Sequence, residues 1–291
     1  MRRSASSGGA SGVTGRPVVR REPGFTLRMV SALAMMPVAL GLVILGGWPF
    51  ACLVGLAVVL MAIEWRQLTE ARFGGDGGVL AGASVAGIGL TVMLLAASGQ
   101  PSEALLALLA GALIAGVVAW HLGTPPLWIG LGAAYLALPA LALVWLRGLP
   151  QFGLQIVIWL LVVVWTTDIL AYLVGRKLRG PRLAPVISPG KTWSGLCGGV
   201  LAAALAGAVT AWGIGSERLL QAAGLGGVLA VVSQIGDLIE SFLKRRAGVK
   251  DSGSLIPGHG GVLDRLDSLI LAAPVLALLA LAFGPRVLPW P

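Results

Sequence analysis

The feature that most limits what this chain can become is a succession of apolar runs, each ~20 residues long, separated by short polar segments from residue 29 to residue 283. Inside hydrocarbon, every backbone N–H and C=O must find its partner within the protein. A run of this length therefore closes on itself as a helix. The runs fall at 29–45, 48–63, 79–98, 104–120, 127–146, 152–174, 195–214, 219–239 and 266–283. The expected fold is all-α, a polytopic membrane protein of about nine transmembrane helices with its N-terminus cytoplasmic. Pro37, Pro139 and Pro274 lie inside these runs, where neighbouring groups in a membrane bundle can satisfy the freed carbonyls. With 57% hydrophobic and only 11% charged residues, an ordinary soluble domain is excluded, since about a quarter of its residues would be charged.

The formal net charge of +9 raises the question of a nucleic-acid partner. The basic residues sit between apolar runs rather than on one soluble face, so no nucleic acid is expected. They follow the positive-inside pattern instead. With the N-terminus inside, the cytoplasmic segments receive the arginines up to Arg28, then Arg66, Arg72, Arg176, Lys177, Arg179, Arg182, Lys191, Lys244, Arg245, Arg246, Lys250 and Arg265. Only Arg147, Arg218 and Arg286 fall on the other side.

Residues 1–25, rich in Ser, Gly and Arg, read as a disordered basic arm. Residues 26–150 supply N-terminal membrane helices, and 151–291 a C-terminal region whose loops 168–194 and 240–265 carry the unusual polar residues. Because more spans follow, the first run is a span rather than a cleaved signal. Trp48, Trp120, Trp128, Trp145, Trp165 and Trp212, at or near run ends, read as an interfacial belt. Cys52 and Cys197 lie in apolar runs and read as small buried hydrophobes with no metal or disulfide spacing.

Chemistry is expected at those two loops. At the end of the eighth run, Ser233, Asp237 and Ser241 recur at i, i+4, i+8 with Glu240 beside them, while Asp264, Asp267 and Ser268 share a face at the start of the ninth. Charges at membrane depth cost about 2.5–3.5 kcal/mol on insertion scales and so face a partner or a polar cavity. Several carboxylates together call for a cation, and oxygen ligands without a His or Cys cluster favour Mg²⁺, whose shell substrate phosphates commonly complete. Lys244, Arg245, Lys250 and Arg265 would neutralise phosphate oxygens. The glycines around His259, including Gly260 and Gly261, would let backbone amides approach an anion. His259 itself has no catalytic role in this reading.

In the first loop, Asp168 and Tyr172 precede Arg176 and Lys177, and Ser188 with Lys191 resembles a small anion cradle. Blander readings exist: Asp264 as a helix cap, Asp267 as a complement to the helix dipole, the glycines as a plain turn. They do not account for acids, bases and a glycine-rich turn recurring in order within one short stretch.

The run SFLKRRAGVKDSGSLIPGHGGVLDRLD, residues 241–267, resembles the signature of the phosphatidate cytidylyltransferase (CDP-diglyceride synthase) family. The upstream DILAYLVGRK and LAPVISPGKTW are similar to that family's first block, so the resemblance covers roughly the C-terminal half. It departs from the family pattern at Ile169, Leu170, Ser194 and residues 178–182.

The resemblance implies transfer of CMP from CTP to phosphatidate, giving CDP-diacylglycerol and pyrophosphate, at the cytoplasmic side of a cell (inner) membrane. It implies Mg²⁺, and it is compatible with a second cation and with a homodimer. On this reading Asp237, Asp264 and Asp267 hold the metal. Lys244, Lys250, Asp251 and Arg265 act at the reacting groups, while Lys191, Ser188, Arg245, His259, Gly260 and Gly261 contact the nucleotide. The competing readings are a CTP-dependent polyprenol or phytol kinase, a CDP-alcohol phosphotransferase and a multi-span transporter. The last would place its acids at the midplane of broken helices.

Overall fold

The structure is a computed structural model that describes residues 25–74, 77–253, 255, 260–284 and 288–289, with side chains from residue 35 onward. The basic arm up to residue 24 and His259 lie outside the described residues. The described chain forms helices α1 (Phe25–Leu45), α2 (Gly47–Phe73), α3 (Gly77–Ala97), α4 (Pro101–His121), α5 (Pro126–Arg147), α6 (Gly153–Leu178), α7 (Trp193–Gly213), α8 (Leu219–Arg246) and α9 (Leu263–Phe283). Eight of them, α2 to α9, are long and apolar enough to cross a membrane, and the described apolar part of α1 is the shorter 35–45 stretch. The all-α, multi-pass reading therefore stands.

Each connection is placed by local chemistry. Gly46 and Gly47 have positive φ between α1 and α2, Gly74 does the same after α2, and Gly99 after α3. A proline opens both α4 and α5, where its missing N–H costs nothing. Pro37, Pro139 and Pro274 lie within helices as expected.

Several helices are longer than hydropathy indicated. α2, α6 and α8 contain 27, 26 and 28 residues, about 40 Å at 1.5 Å per residue, against ~30 Å of hydrocarbon. Glu64 and Arg66, Asp168 and Arg176, and Asp237 to Arg246 are thus helical residues. The loops shrink accordingly, because nothing in the polar last turns of these helices breaks a helix until a glycine or an Arg–Gly–Pro stretch arrives. The first loop is a short antiparallel hairpin, β1 (Arg182–Ala184) with β2 (Ser188–Thr192), which the hydropathy pattern did not indicate.

Packing follows a rule suited to lipid: large residues outside, small ones between helices. On α7 the buried positions are Gly195, Gly199, Ala203, Gly207 and Ala211, four residues apart, whereas Leu201 and Leu205 point outward. A Cβ on Gly195 would sit 2.6 Å from the Ala171 carbonyl oxygen of α6, and one on Gly226 of α8 2.9 Å from the Ala203 carbonyl oxygen of α7. Close backbone approach among α6, α7 and α8 is therefore what these residues supply.

Two expectations need correcting. Cys52 and Cys197 are exposed on the helix surfaces rather than buried. Among the belt tryptophans, Trp128 instead stacks on Trp65 with ring centroids 4.9 Å apart and donates to Thr69 Oγ1 at 2.9 Å, so it ties α5 to α2. Trp165 lies well inside α6 rather than at a helix end.

Two glycines two residues apart on α8 test the packing rule. Gly226 is buried against α7, while nothing lies within 4 Å of a Cβ on Gly224. G226L is expected to destabilise the bundle by about 1–3 kcal/mol or more through overpacking, seen as a lower thermal midpoint in detergent. G224L, which faces outward, is expected to leave that midpoint in place.

Candidate active site

One end of the bundle gathers the C-terminal turns of α2, α6 and α8, the N-terminal turn of α9 and the hairpin. A cavity of about 520 Å³ opens there, lined on its polar side by Asp168 of α6, Lys191 of β2, Gln234 and Asp237 of α8, and Asp264, Asp267 and Ser268 of α9. The α6 residues face it because Asp168 and Tyr172, four apart, share one stripe with Ala171 and Gly175. On α9, Asp264, Asp267 and Ser268 share the face that their spacing indicated. Lys191 enters through the hairpin: Thr192 caps α7 by accepting from the Gly195 N–H at 3.1 Å, which fixes the end of β2.

The polar groups are cross-linked between helices. Lys191 Nζ is 2.7 Å from Asp237 Oδ2. Lys244 Nζ lies between Asp264 Oδ1 at 2.6 Å and Glu240 Oε2 at 3.1 Å. Gln234 and Ser268 both donate to Asp168 Oδ1, at 2.9 and 3.1 Å. Asp264 also accepts from the backbone N–H groups of Ser252 at 3.1 Å and Gly261 at 3.0 Å. Asp267 Oδ1 accepts from the Ser268 N–H at 2.6 Å.

Five carboxyl groups, Asp168, Asp237, Glu240, Asp264 and Asp267, thus meet two ammonium groups, Lys191 and Lys244. Glu240 is fully buried, and its Oε1 has no hydrogen-bond donor among the described residues. Asp267 lies close enough to Asp237 and to Asp168 for their charges to oppose one another. Arg176 lines the same cavity, and oxygen groups of this kind are what a hard divalent ion takes. Among the described residues no three acidic, His or Cys side chains converge closely enough to hold a metal by themselves. Any such ion would need oxygen ligands beyond the protein's.

The other expected site residues are distributed differently. Lys250 and Asp251 face a second cavity, of about 490 Å³, together with Gln67 and Leu68 of α2. Arg245 is spent on backbone carbonyls, donating to Val249 O at 3.0 Å and Ile187 O at 3.4 Å. Arg265 is exposed on the first turn of α9, and Ser188 lies in β2 outside the lining of the first cavity. Gly261 does not offer its amide to an anion, since that N–H is held by Asp264. Its lack of a side chain serves another purpose: a Cβ there would meet Ser252 Oγ and, at 2.8 Å, Glu64 Oε1. Gly260 has φ +85°, where a side chain would be strained. Ser233 turns away from the cavity to donate to the Ala230 carbonyl.

Sequence reasoning missed Glu64, Gln234 and the hairpin. Glu64 is a lone acid next to Trp65 and Arg66. A carboxylate that breaks an apolar run so near its end was the available signal, and the positive charges following it masked that signal.

The comparisons with known proteins agree with the geometry. The pattern of the cytidylyltransferase family matches residues 26–283, which includes the N-terminal helices as well as the signature. A phosphatidate cytidylyltransferase of Brucella abortus is 40% identical over 274 residues, covering 90% of this chain and 95% of that protein. One from Pseudomonas aeruginosa is 40% identical over 278 residues, covering 88% and 97%, and one from Synechocystis is 34% identical over 283 residues, covering 86% and 94%. With the acids of α6, α8 and α9 facing one cavity beside Lys191 and the match running over residues 26–283, the chain belongs to the cytidylyltransferase family.

Proposed function

We propose that this chain transfers CMP from CTP to phosphatidate, giving CDP-diacylglycerol and pyrophosphate for phospholipid synthesis. The observation that carries this reading is the single cavity in which Asp168, Asp237, Asp264 and Asp267 from three helices face Lys191. The cavity lies at the end of the bundle where α6, α8 and α9 carry their basic residues, which fits the cytoplasmic side of a bacterial inner membrane. CTP would reach it from that side and phosphatidate from the bilayer. A transporter would need acids near the middle of broken helices; here α8 and α9 are continuous and the acids lie at their ends.

The chemistry sets the demands. A phosphate monoester with a second pKa near 6 is largely dianionic at neutral pH, so phosphatidate is already nucleophilic and needs no general base. Its oxygen attacks the α-phosphorus of CTP, a new P–O–P bond forms, the bond to the β-phosphate breaks, and pyrophosphate leaves with the electron pair. The obstacle is repulsion between two polyanions.

Asp237, Asp264 and Asp267 are the groups that would hold Mg²⁺, with substrate phosphates completing its shell. When bound, the ion supplies charge stabilisation on the departing pyrophosphate. Lys191 stands at hydrogen-bond distance from Asp237, and Lys244 from Asp264. They orient these two acids, and they offer ammonium charge to phosphate oxygens as substrates bind. Lys250 and Asp251 line the neighbouring cavity, where they would hold the part of the nucleotide remote from the reacting phosphorus.

Purified full-length protein given labelled CTP, phosphatidate and Mg²⁺ is expected to release a labelled liponucleotide into the organic phase, and EDTA to stop it. No labelled lipid under these conditions, or label arriving as a phosphate monoester rather than CMP, would contradict the reading.

D267N is expected to lower turnover by at least about a hundredfold, with a smaller change in thermal midpoint than D264N, since Asp267 accepts from the adjacent Ser268 N–H and meets Glu240 of α8. D264N is expected to lose turnover and also about 1–3 kcal/mol of stability, because its carboxylate holds Lys244, Ser252 and Gly261 together. Near-normal turnover by D267N would exclude that carboxylate from the metal set.

A further inference from the structure

Glu64 is a buried acid to which the reaction just described gives no part. It comes from α2, outside the elements that line the first cavity, and is fully buried. Its Oε1 accepts from the Val262 N–H at 2.8 Å, and its Oε2 from the Leu263 N–H at 2.7 Å and the Ser252 hydroxyl at 3.3 Å. The first amides of a helix have no acceptor within it and carry the positive end of its dipole. The residue at the cap of α9, Val262, provides no side-chain cap. Glu64 therefore supplies, from 198 residues upstream, what a local Ser or Asp would ordinarily supply.

The same contacts reach the acids of the site. Ser252 gives its hydroxyl to Glu64 and its N–H to Asp264, so the two carboxylates hold one loop from opposite sides. Gly253 and Gly261 are where they are because a Cβ on either would come within 3 Å of Glu64 Oε1. Leu263, bonded to Glu64, precedes Asp264 directly, and Asp264 in turn holds Lys244.

We infer that Glu64 is a positioning residue for CMP transfer: from α2 it fixes the first turn of α9 and the Ser252 loop, and through them the placement of Asp264, Lys244 and Asp267. The inference rests on the transfer reaction proposed above. E64Q keeps the size of the side chain and one acceptor oxygen, but turns an NH₂ group toward a backbone N–H, so the turn must shift. S252A removes one link without touching Glu64 itself.

Both variants are to be measured as full-length protein in phospholipid–detergent micelles, recording kcat, KM for CTP and for phosphatidate, and the folded fraction at assay temperature. For E64Q, kcat is expected to fall by about tenfold to a hundredfold, the scale on which a misplacement of ~1 Å acts, with both KM values within about twofold and the folded fraction unchanged. S252A is expected to show a smaller loss of the same kind. Should E64Q fail to accumulate in folded form, the same split in S252A decides the matter. Wild-type kcat in both variants, or losses that match the loss of folded protein, would overturn the inference. Absence of liponucleotide product from the unaltered protein would instead overturn the reaction itself.

Discussion

Carboxyl groups from three helices are crowded into one cavity at the polar end of this bundle, and the architecture around them is organised to make that tolerable. Taking a charge out of water costs several kcal/mol unless partners are held in good geometry. Here the partners come from different helices: Lys244 of α8 sits between Glu240 of its own helix and Asp264 of α9, and Lys191 of the hairpin meets Asp237 of α8. Such pairings need helices that approach closely and do not slide. The glycine and alanine stripe of α7 allows the approach, and the hydrogen bonds to Asp168 from α8 and α9 fix the alignment. The crowding of Asp168, Asp237, Asp264 and Asp267 in one cavity is the observation on which the proposal of divalent-ion and polyphosphate chemistry rests.

Much of this was legible in the sequence because membrane proteins write their fold in coarse signals. Apolar run length indicated about nine spans, of which eight, α2 to α9, are long and apolar enough to cross a membrane among the described residues, and the ordered acids of residues 237–267 pointed to α8 and α9. What hydropathy could not give was where each helix stops. The polar last turns of α2, α6 and α8 are still helical, which puts Glu64, Arg176 and Lys244 on helices beyond the ends that hydropathy indicated. Nor could spacing tell which glycine approaches a phosphate and which merely makes room: Gly261 does the latter, with its amide already given to Asp264. Long-range partners were the least visible. No local pattern around Glu64 announces that its acceptors serve Val262 and Leu263. Trp128 resembled a belt residue until its stacking on Trp65 was seen.

The signature stretch thereby separates into three jobs. Asp264 and Asp267 face the first cavity, Lys250 and Asp251 face the second, and Ser252, Gly253 and Gly261 form the packed hinge between them on which Glu64 closes.

The central claim, that carboxylates on α8 and α9 jointly hold a divalent ion, is tested most directly by binding rather than turnover. Mn²⁺ added to the full-length protein with CTP should give an electron paramagnetic resonance signal of bound ion, and that signal should be lost when Asp237 and Asp267 are both changed to Asn in a protein that still melts cooperatively. An undiminished bound-ion signal from that double variant would contradict the account.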